Sequence, residues 1–214
     1  MKLLIASTNP KKLAELRALL GHLELELLTP ADVGGLDPVV EDQTTFAGNA
    51  VKKACAAALQ TKLWALADDS GLEVESLAGA PGVRSARFAG EPADDARNNA
   101  ELLRLLAGTP PEKRAARFVC VLALARPDGA LAETFEGTAA GRILEAPRGD
   151  GDFGYDPLFL FTEPDQPGIG HTFAELAPAA KSAVSHRGRA LSALLLALPT
   201  LISDRSSAVT PRRS

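Results

Sequence analysis

At 214 residues, with 46% hydrophobic and 23% charged side chains, the chain has the composition of an ordinary soluble globular protein, long enough to close a full-sized core without a disulfide or metal staple. Its formal net charge of -4 leaves no broad basic surface for a nucleic acid polymer, though a local basic pocket for a small anion stays open. The two cysteines, Cys55 and Cys120, stand far apart, which excludes a C-x-x-C redox motif and a zinc knuckle, and His22 and His171 lack metal-ligand spacing.

The N-terminus starts directly in the strand-like Leu3-Leu4-Ile5-Ala6 with no signal-peptide pattern, and no apolar run reaches membrane-spanning length, so a cytoplasmic protein with no membrane partner is expected. Residues 2–7 read as a first strand. Asn9-Pro10 offers an N-cap with proline at the first helical position, and Leu13, Leu16, Leu19 and Leu20 at helical spacing predict a helix over residues 10–20. Leu23, Leu25 and Leu27 alternate as in an amphipathic strand, a turn-rich loop follows from Thr29 to Pro38, and a second helix is expected from Phe46 to Leu59.

The apolar run Leu63-Trp64-Ala65-Leu66-Ala67 predicts a buried strand that ends in Asp68-Asp69, with Ser70-Gly71 as the turn after it and strand resuming over residues 72–77. Residues 78–82 are too rich in turn formers to be regular, and Asp94 or Asp95 caps a helix running to Leu106. Residues 117–126 and 131–139 form a hairpin about Pro127-Asp128-Gly129, which makes the sheet mixed. A loop over residues 149–154 leads into a strand at 158–161, Thr172-Phe173-Ala174-Glu175 has the capping-box pattern of a helix start, and residues 187–198 make the last helix. The polar tail lacks an apolar period and is expected to be disordered, giving one domain over residues 1–202 and a tail over 203–214.

Several clusters could carry chemistry. Two carboxylates at the end of a buried strand need water, a cation or a catalytic task, because isolated burial of a carboxylate is prohibitively costly, and Mg2+ takes one or two carboxylates with its other ligands from water and phosphate. Ser7-Thr8-Asn9-Pro10-Lys11-Lys12 surrounds a helix N-terminus suited to phosphate, or is a plain cap followed by exposed lysines. Glu41-Asp42 precede the second helix and Lys52-Lys53 lie inside it, a second acid and base set or a solvated face. Phe153-Gly154-Tyr155-Asp156-Pro157 could stack a planar ring and bond its edge, or fill a core. Ser185-His186-Arg187, with Lys181 a turn upstream, offers donors that could meet a base oxygen, or its histidine is structural. Ser70 lacks the Gly-x-Ser-x-Gly elbow of a hydrolase nucleophile.

Taken in order, these blocks, together with Lys12 and Glu15, Thr45-Phe46, Asn49-Ala50, Lys53-Ala54 and Gly79-Ala80-Pro81-Gly82, resemble the inosine triphosphate pyrophosphatase family, the Ham1-like non-canonical purine nucleoside triphosphate pyrophosphatases, over residues 2–198. The resemblance implies Mg2+-dependent hydrolysis of ITP, dITP and XTP to the monophosphate and pyrophosphate, and a homodimer. It implies Asp69 as the catalytic base and Glu41 with Asp69 as metal ligands, while Asp68 supports them. Ser7, Thr8, Asn9, Lys12, Lys53 and Ser70 then hold phosphates, and Phe153, Gly154, Tyr155, Asp156, Lys181, His186 and Arg187 hold the purine.

The fold expected with it is α/β, a mixed, twisted central sheet flanked by helices, in an elongated two-lobed domain with the nucleotide cleft between the lobes. Three positions depart from the family pattern: Thr8 for a glycine, Gly48 for a glutamate and Ser182 for an asparagine. Alternatives are a Maf-like nucleotide pyrophosphatase, against which the Ser185-His186-Arg187 block and the Phe153 loop argue, and a nucleotide-binding regulator without activity.

Overall fold

A computed structural model describes residues 1–21, 25–151 and 153–203. Six strands, β1 (Lys2–Ile5), β2 (Glu26–Leu28), β3 (Trp64–Val74), β4 (Ala115–Ala125), β5 (Leu131–Ile143) and β6 (Phe159–Phe161), form one sheet in the order β2-β1-β3-β4-β5-β6. β1 pairs parallel with β2 and β3, and every later pair is antiparallel. The helices are α1 (Pro10–Leu20), α2 (Phe46–Thr61), α3 (Asp95–Leu105), α4 (Pro178–Val184) and α5 (His186–Ser203). The mixed α/β sheet flanked by helices is as expected.

Three apolar clusters divide the interior. On one face α1 and α5 bring Leu16, Leu20, Leu191 and Leu194 onto Leu3, Ile5, Trp64, Leu66 and Leu122. On the other, α2 lays Ala50, Ala54, Ala57 and Ala58 against Ala65, Ala67, Ala123 and Ala125, small side chains that let helix and sheet approach closely. Farther along β3, β4 and β5, a third cluster joins Leu72, Val74, Leu102, Phe118, Phe159 and Phe173. Between the first two clusters and the third lies the polar stretch of β3, at the mouth of the cleft.

Side-chain caps fix the helix starts, at Asn9 and Asp94 as expected. The Asn9 side chain accepts from the backbone N–H of Lys11 and Lys12, Thr45 caps α2 by accepting from Gly48 N–H, and Asp94 caps α3 by accepting from Arg97 N–H. Ser185 Oγ accepts from Gly188 N–H at 3.1 Å and so caps α5, which makes His186 and Arg187 its first residues. Their close seat on the sheet depends on Gly137, where a Cβ would come 2.2 Å from the His186 carbonyl oxygen.

The structure corrects three expectations. The acidic pair does not end a strand and Ser70-Gly71 is no turn: β3 runs unbroken through both, because β4 pairs with it from Ala65 to Val74. The box at Thr172 starts only a 3-10 turn, Phe173–Glu175, and the helix begins at Pro178. The strand expected over residues 72–77 stops at Val74, and Glu75–Leu77 form a 3-10 turn instead. The expectations for Leu23 and for the tail beyond residue 203 lie outside the described residues.

Candidate active site

Successive side chains of a strand face opposite sides, so Asp68 and Asp69 act on different faces of the sheet. Asp68 points to the α1 and α5 side. Its Oδ2 lies 3.1 Å from Lys12 Nζ, accepts from Arg187 Nη2 at 3.1 Å and from Ser70 Oγ at 3.1 Å. Asp69 points to the α2 side, where Oδ2 accepts from Asn49 Nδ2 at 3.2 Å and Oδ1 from Lys53 Nζ at 3.1 Å. β1 pairs with β3 only as far as Leu66, so beyond that point this edge of β3 is released by its neighbour and borders a cavity of about 920 Å³.

That cavity is lined by Ser7, Thr8, Asn9, Lys12, Glu41, Lys53, Asp69, Ser70, Phe153, Gly154, Tyr155, Asp156, His186 and Arg187, with Asp68 beside them, so nearly every residue singled out in the sequence meets there. Its volume suits a nucleotide. Lys181 adjoins this lining, its Nζ 2.6 Å from Asp156 Oδ2, 3.0 Å from Glu15 Oε1 and 4.8 Å from the Phe153 ring, and Arg187 Nη1 pairs with the other oxygen of Glu15. Glu15 thus ties these two cations together.

At the α2 end Glu41 Oε1 and Asp69 Oδ1 converge on Lys53 Nζ, at 3.0 and 3.1 Å. Burial pushes the Asp69 carboxyl above its ordinary range, with Lys53 pulling it down and the Glu41 charge adding to the rise. Burial pushes Asp68 the same way, but Lys12 and Arg187 outweigh it and hold the group well below the usual carboxylate range. The two neighbouring acids are therefore shifted in opposite directions, Asp69 upward by burial and Asp68 downward by its cations.

The other end is aromatic. The His186 ring stacks on Phe118, centroids 4.7 Å apart, and burial lowers its pKa well below the ordinary histidine value. Lys181 Nζ lies 4.8 Å above the Phe153 ring. Among the described residues, three buried side-chain atoms lack a hydrogen-bond partner: Asn99 Oδ1, outside the cavity lining, and His186 Nδ1 and Arg187 Nε in its wall, in residues only 4% and 2% exposed. Such atoms in a cavity wall call for a polar ligand.

Other groups are already engaged. The Tyr155 hydroxyl donates to the Ser85 carbonyl at 2.8 Å, Ser70 Oγ accepts from Arg187 Nη2 at 2.9 Å, and the Asn9 side-chain oxygen is spent on its cap. Arg87, which the sequence reading did not single out, lines the cavity and donates to the Glu41 backbone carbonyl at 3.3 Å, with its guanidinium 3.9 Å from the Glu41 carboxylate. Nothing local marks it, since its partner lies 46 positions away.

Two of the three departures have a physical account. Thr8 is not among the residues with a left-handed backbone, so its position does not require glycine. At Gly48 a Cβ would come 2.8 Å from Gln43 Cβ, and the glycine lets the segment carrying Glu41 fold onto α2, where Gln43 N–H donates to Asn49 Oδ1 at 3.0 Å. Nothing in the structure explains Ser182.

The Ham1 family model matches residues 3–197. Over 191 residues the chain is 52% identical to a dITP/XTP pyrophosphatase of Desulforamulus reducens, covering 89% of this chain and 92% of the relative. It is 51% identical over 193 residues to the dITP/XTP pyrophosphatase of Geobacter sulfurreducens, covering 90% and 94%. Among solved structures, a HAM1 protein from Coxiella burnetii superposes with a TM-score of 0.83 at 40% identity, covering 94% of this chain and 99% of that one. A nucleoside-triphosphatase, dITP/XTP pyrophosphatase, from Mycobacterium abscessus gives 0.73 at 47% identity, covering 91% and 99%.

Proposed function

The chain belongs to the Ham1 family, and we propose that it hydrolyses the purine nucleoside triphosphates ITP, dITP and XTP to the monophosphate and pyrophosphate, removing them from the nucleotide pool. The relatives named dITP/XTP pyrophosphatase support this activity. The observation that carries the reading is a single cavity with two convergent carboxylates, Glu41 and Asp69, at one end and two unpartnered buried ring or guanidinium nitrogens at the other. The activity resides in residues 1–202 of a cytoplasmic homodimer.

Glu41 and Asp69 fit a divalent cation: both already face one positive charge, and Mg2+ completes so small a carboxylate set with water and phosphate oxygens. Glu41 and Asp69 would hold Mg2+ there, and it would supply charge neutralisation at the phosphates. Asp69, its carboxyl raised by burial, takes a proton from the water that attacks the α-phosphorus. As the new P–O bond forms, the bond to the bridging oxygen breaks and pyrophosphate leaves with its charge met by Lys12 and Lys53. At the purine end, Phe153 stacks the ring, while Lys181, His186 and Arg187 supply donors for a 6-keto oxygen. An adenine amino group would leave those donors unpaired, which selects against ATP.

The test is pyrophosphate release from ITP with Mg2+, beside an Asp69→Asn variant in which turnover is expected to fall about a thousandfold, the range of a lost general base. Nucleotide binding without turnover in the parent protein would sink the reading. Light scattering reports the dimer independently.

A further inference from the structure

Phe153 lies outside every strand and helix, so no ladder fixes its ring. The Phe153 carbonyl accepts from Asp156 N–H at 3.1 Å within the loop, and the residue after Phe153 is held by α3. The N–H of the next residue, Gly154, donates to Asp95 Oδ2 at 3.0 Å, and its carbonyl accepts from Asn99 Nδ2 at 2.8 Å. Asp95 and Asn99 are four residues apart and share one helix face. Both polar groups of a single loop residue are thereby gripped by one rigid element.

α3 is itself well seated. Leu102 and, just past its end, Leu106 are fully buried in the third apolar cluster. Asn98 accepts from Ala89 N–H at 2.8 Å and donates to the Ala86 carbonyl at 3.0 Å. The ring so placed stands 4.8 Å from Lys181 Nζ and 5.8 Å from both Lys11 Nζ and the Arg187 guanidinium, cations carried by α1, α4 and α5 across the cleft.

We propose that Asp95 and Asn99 are positioning residues that set the Phe153 ring against these cations, so that α3, which gives no group to the chemistry, governs how tightly a purine is held. This rests on the purine site proposed above. Asp95 borders the cavity, whereas Asn99 is not part of its lining and is the cleaner probe.

Kinetics of ITP turnover with Asn99→Ala, Phe153→Ala and the double variant test it. Losing one hydrogen bond to Gly154 is expected to raise KM about tenfold with kcat nearly unchanged. Inhibition by inorganic pyrophosphate, which has no ring, is expected to stay the same. In the Phe153→Ala background the second change is expected to move KM by less than about twofold, since it acts only through the ring. Additive increases in KM, an unchanged KM in the single variant, or pyrophosphate inhibition weakened in parallel each overturn the proposal. Asn99→Leu, of similar size but without the donor, repeats the cycle if the alanine variant folds poorly. Failure of the parent to turn over ITP would instead strike the proposed activity.

Discussion

Asp156 is pulled two ways: burial raises its pKa and the nearby Lys181 ammonium lowers it, and burial prevails, pushing the group up to about 6 from an ordinary 3.8. Its folded-state value lies above the unfolded one, so the stability it contributes is full below the unfolded value and is lost as pH rises through about 6. The stability difference between the parent and Asp156→Asn, from urea unfolding at acidic and neutral pH, is expected to shift toward the variant by up to about 3 kcal/mol as pH rises. A difference independent of pH contradicts this. Asp68 works in the opposite sense. Its depressed pKa gives stability that is present above the ordinary carboxylate value and is lost only as acid titrates the folded group. Asp68→Asn leaves the buried Arg187 short of a partner and is expected to cost about 3 kcal/mol, read from the shift in urea midpoint.

The first turn of α2 shows how an element can trade helix propensity for placement. A glycine inside a helix costs about 1 kcal/mol against alanine, and Gly48→Ala would ordinarily recover it. Here the added Cβ presses on Gln43 Cβ and stands 3.1 Å from the capping Thr45 Oγ1, so the segment that carries Glu41 must move. Gly48→Ala is therefore expected to bring no rise in Tm and to lower kcat/KM for ITP about tenfold or more, since misplacement of a catalytic group by about an ångström is costly. Higher Mg2+ should partly restore the rate. A stabilised and fully active variant would show that Gln43 yields freely.

Across the whole molecule, β3, β4 and β5 run from the first two apolar clusters into the third, so the walls of the cleft share one set of strands. That continuity predicts a single calorimetric transition. A nonhydrolysable ITP analogue with Mg2+, at a hundred times its Kd, is expected to stabilise the whole chain by about 2.7 kcal/mol. Two transitions, of which the ligand moves only one, would show that the two ends unfold separately.

The cap residues Asn9, Thr45 and Asp94, the helical spacing of the α1 leucines and the turn at Pro127-Asp128-Gly129 act over a few residues, so their effects are written in adjacent letters and the chain alone determined them. The order of the polar blocks likewise pointed to one purine nucleotide site. What the letters could not give was the path of β3 through its two acids, because a strand may bury carboxylates only if lysine and arginine from distant elements meet them. Nor could they give the grip of Arg87 on Glu41, the Glu15 link between Lys181 and Arg187, or the hold of α3 on Gly154. Those contacts depend on strand register and on how helices seat against the sheet. Only the folded chain fixes both, and with them which acid is shifted upward by burial and which downward by its cations.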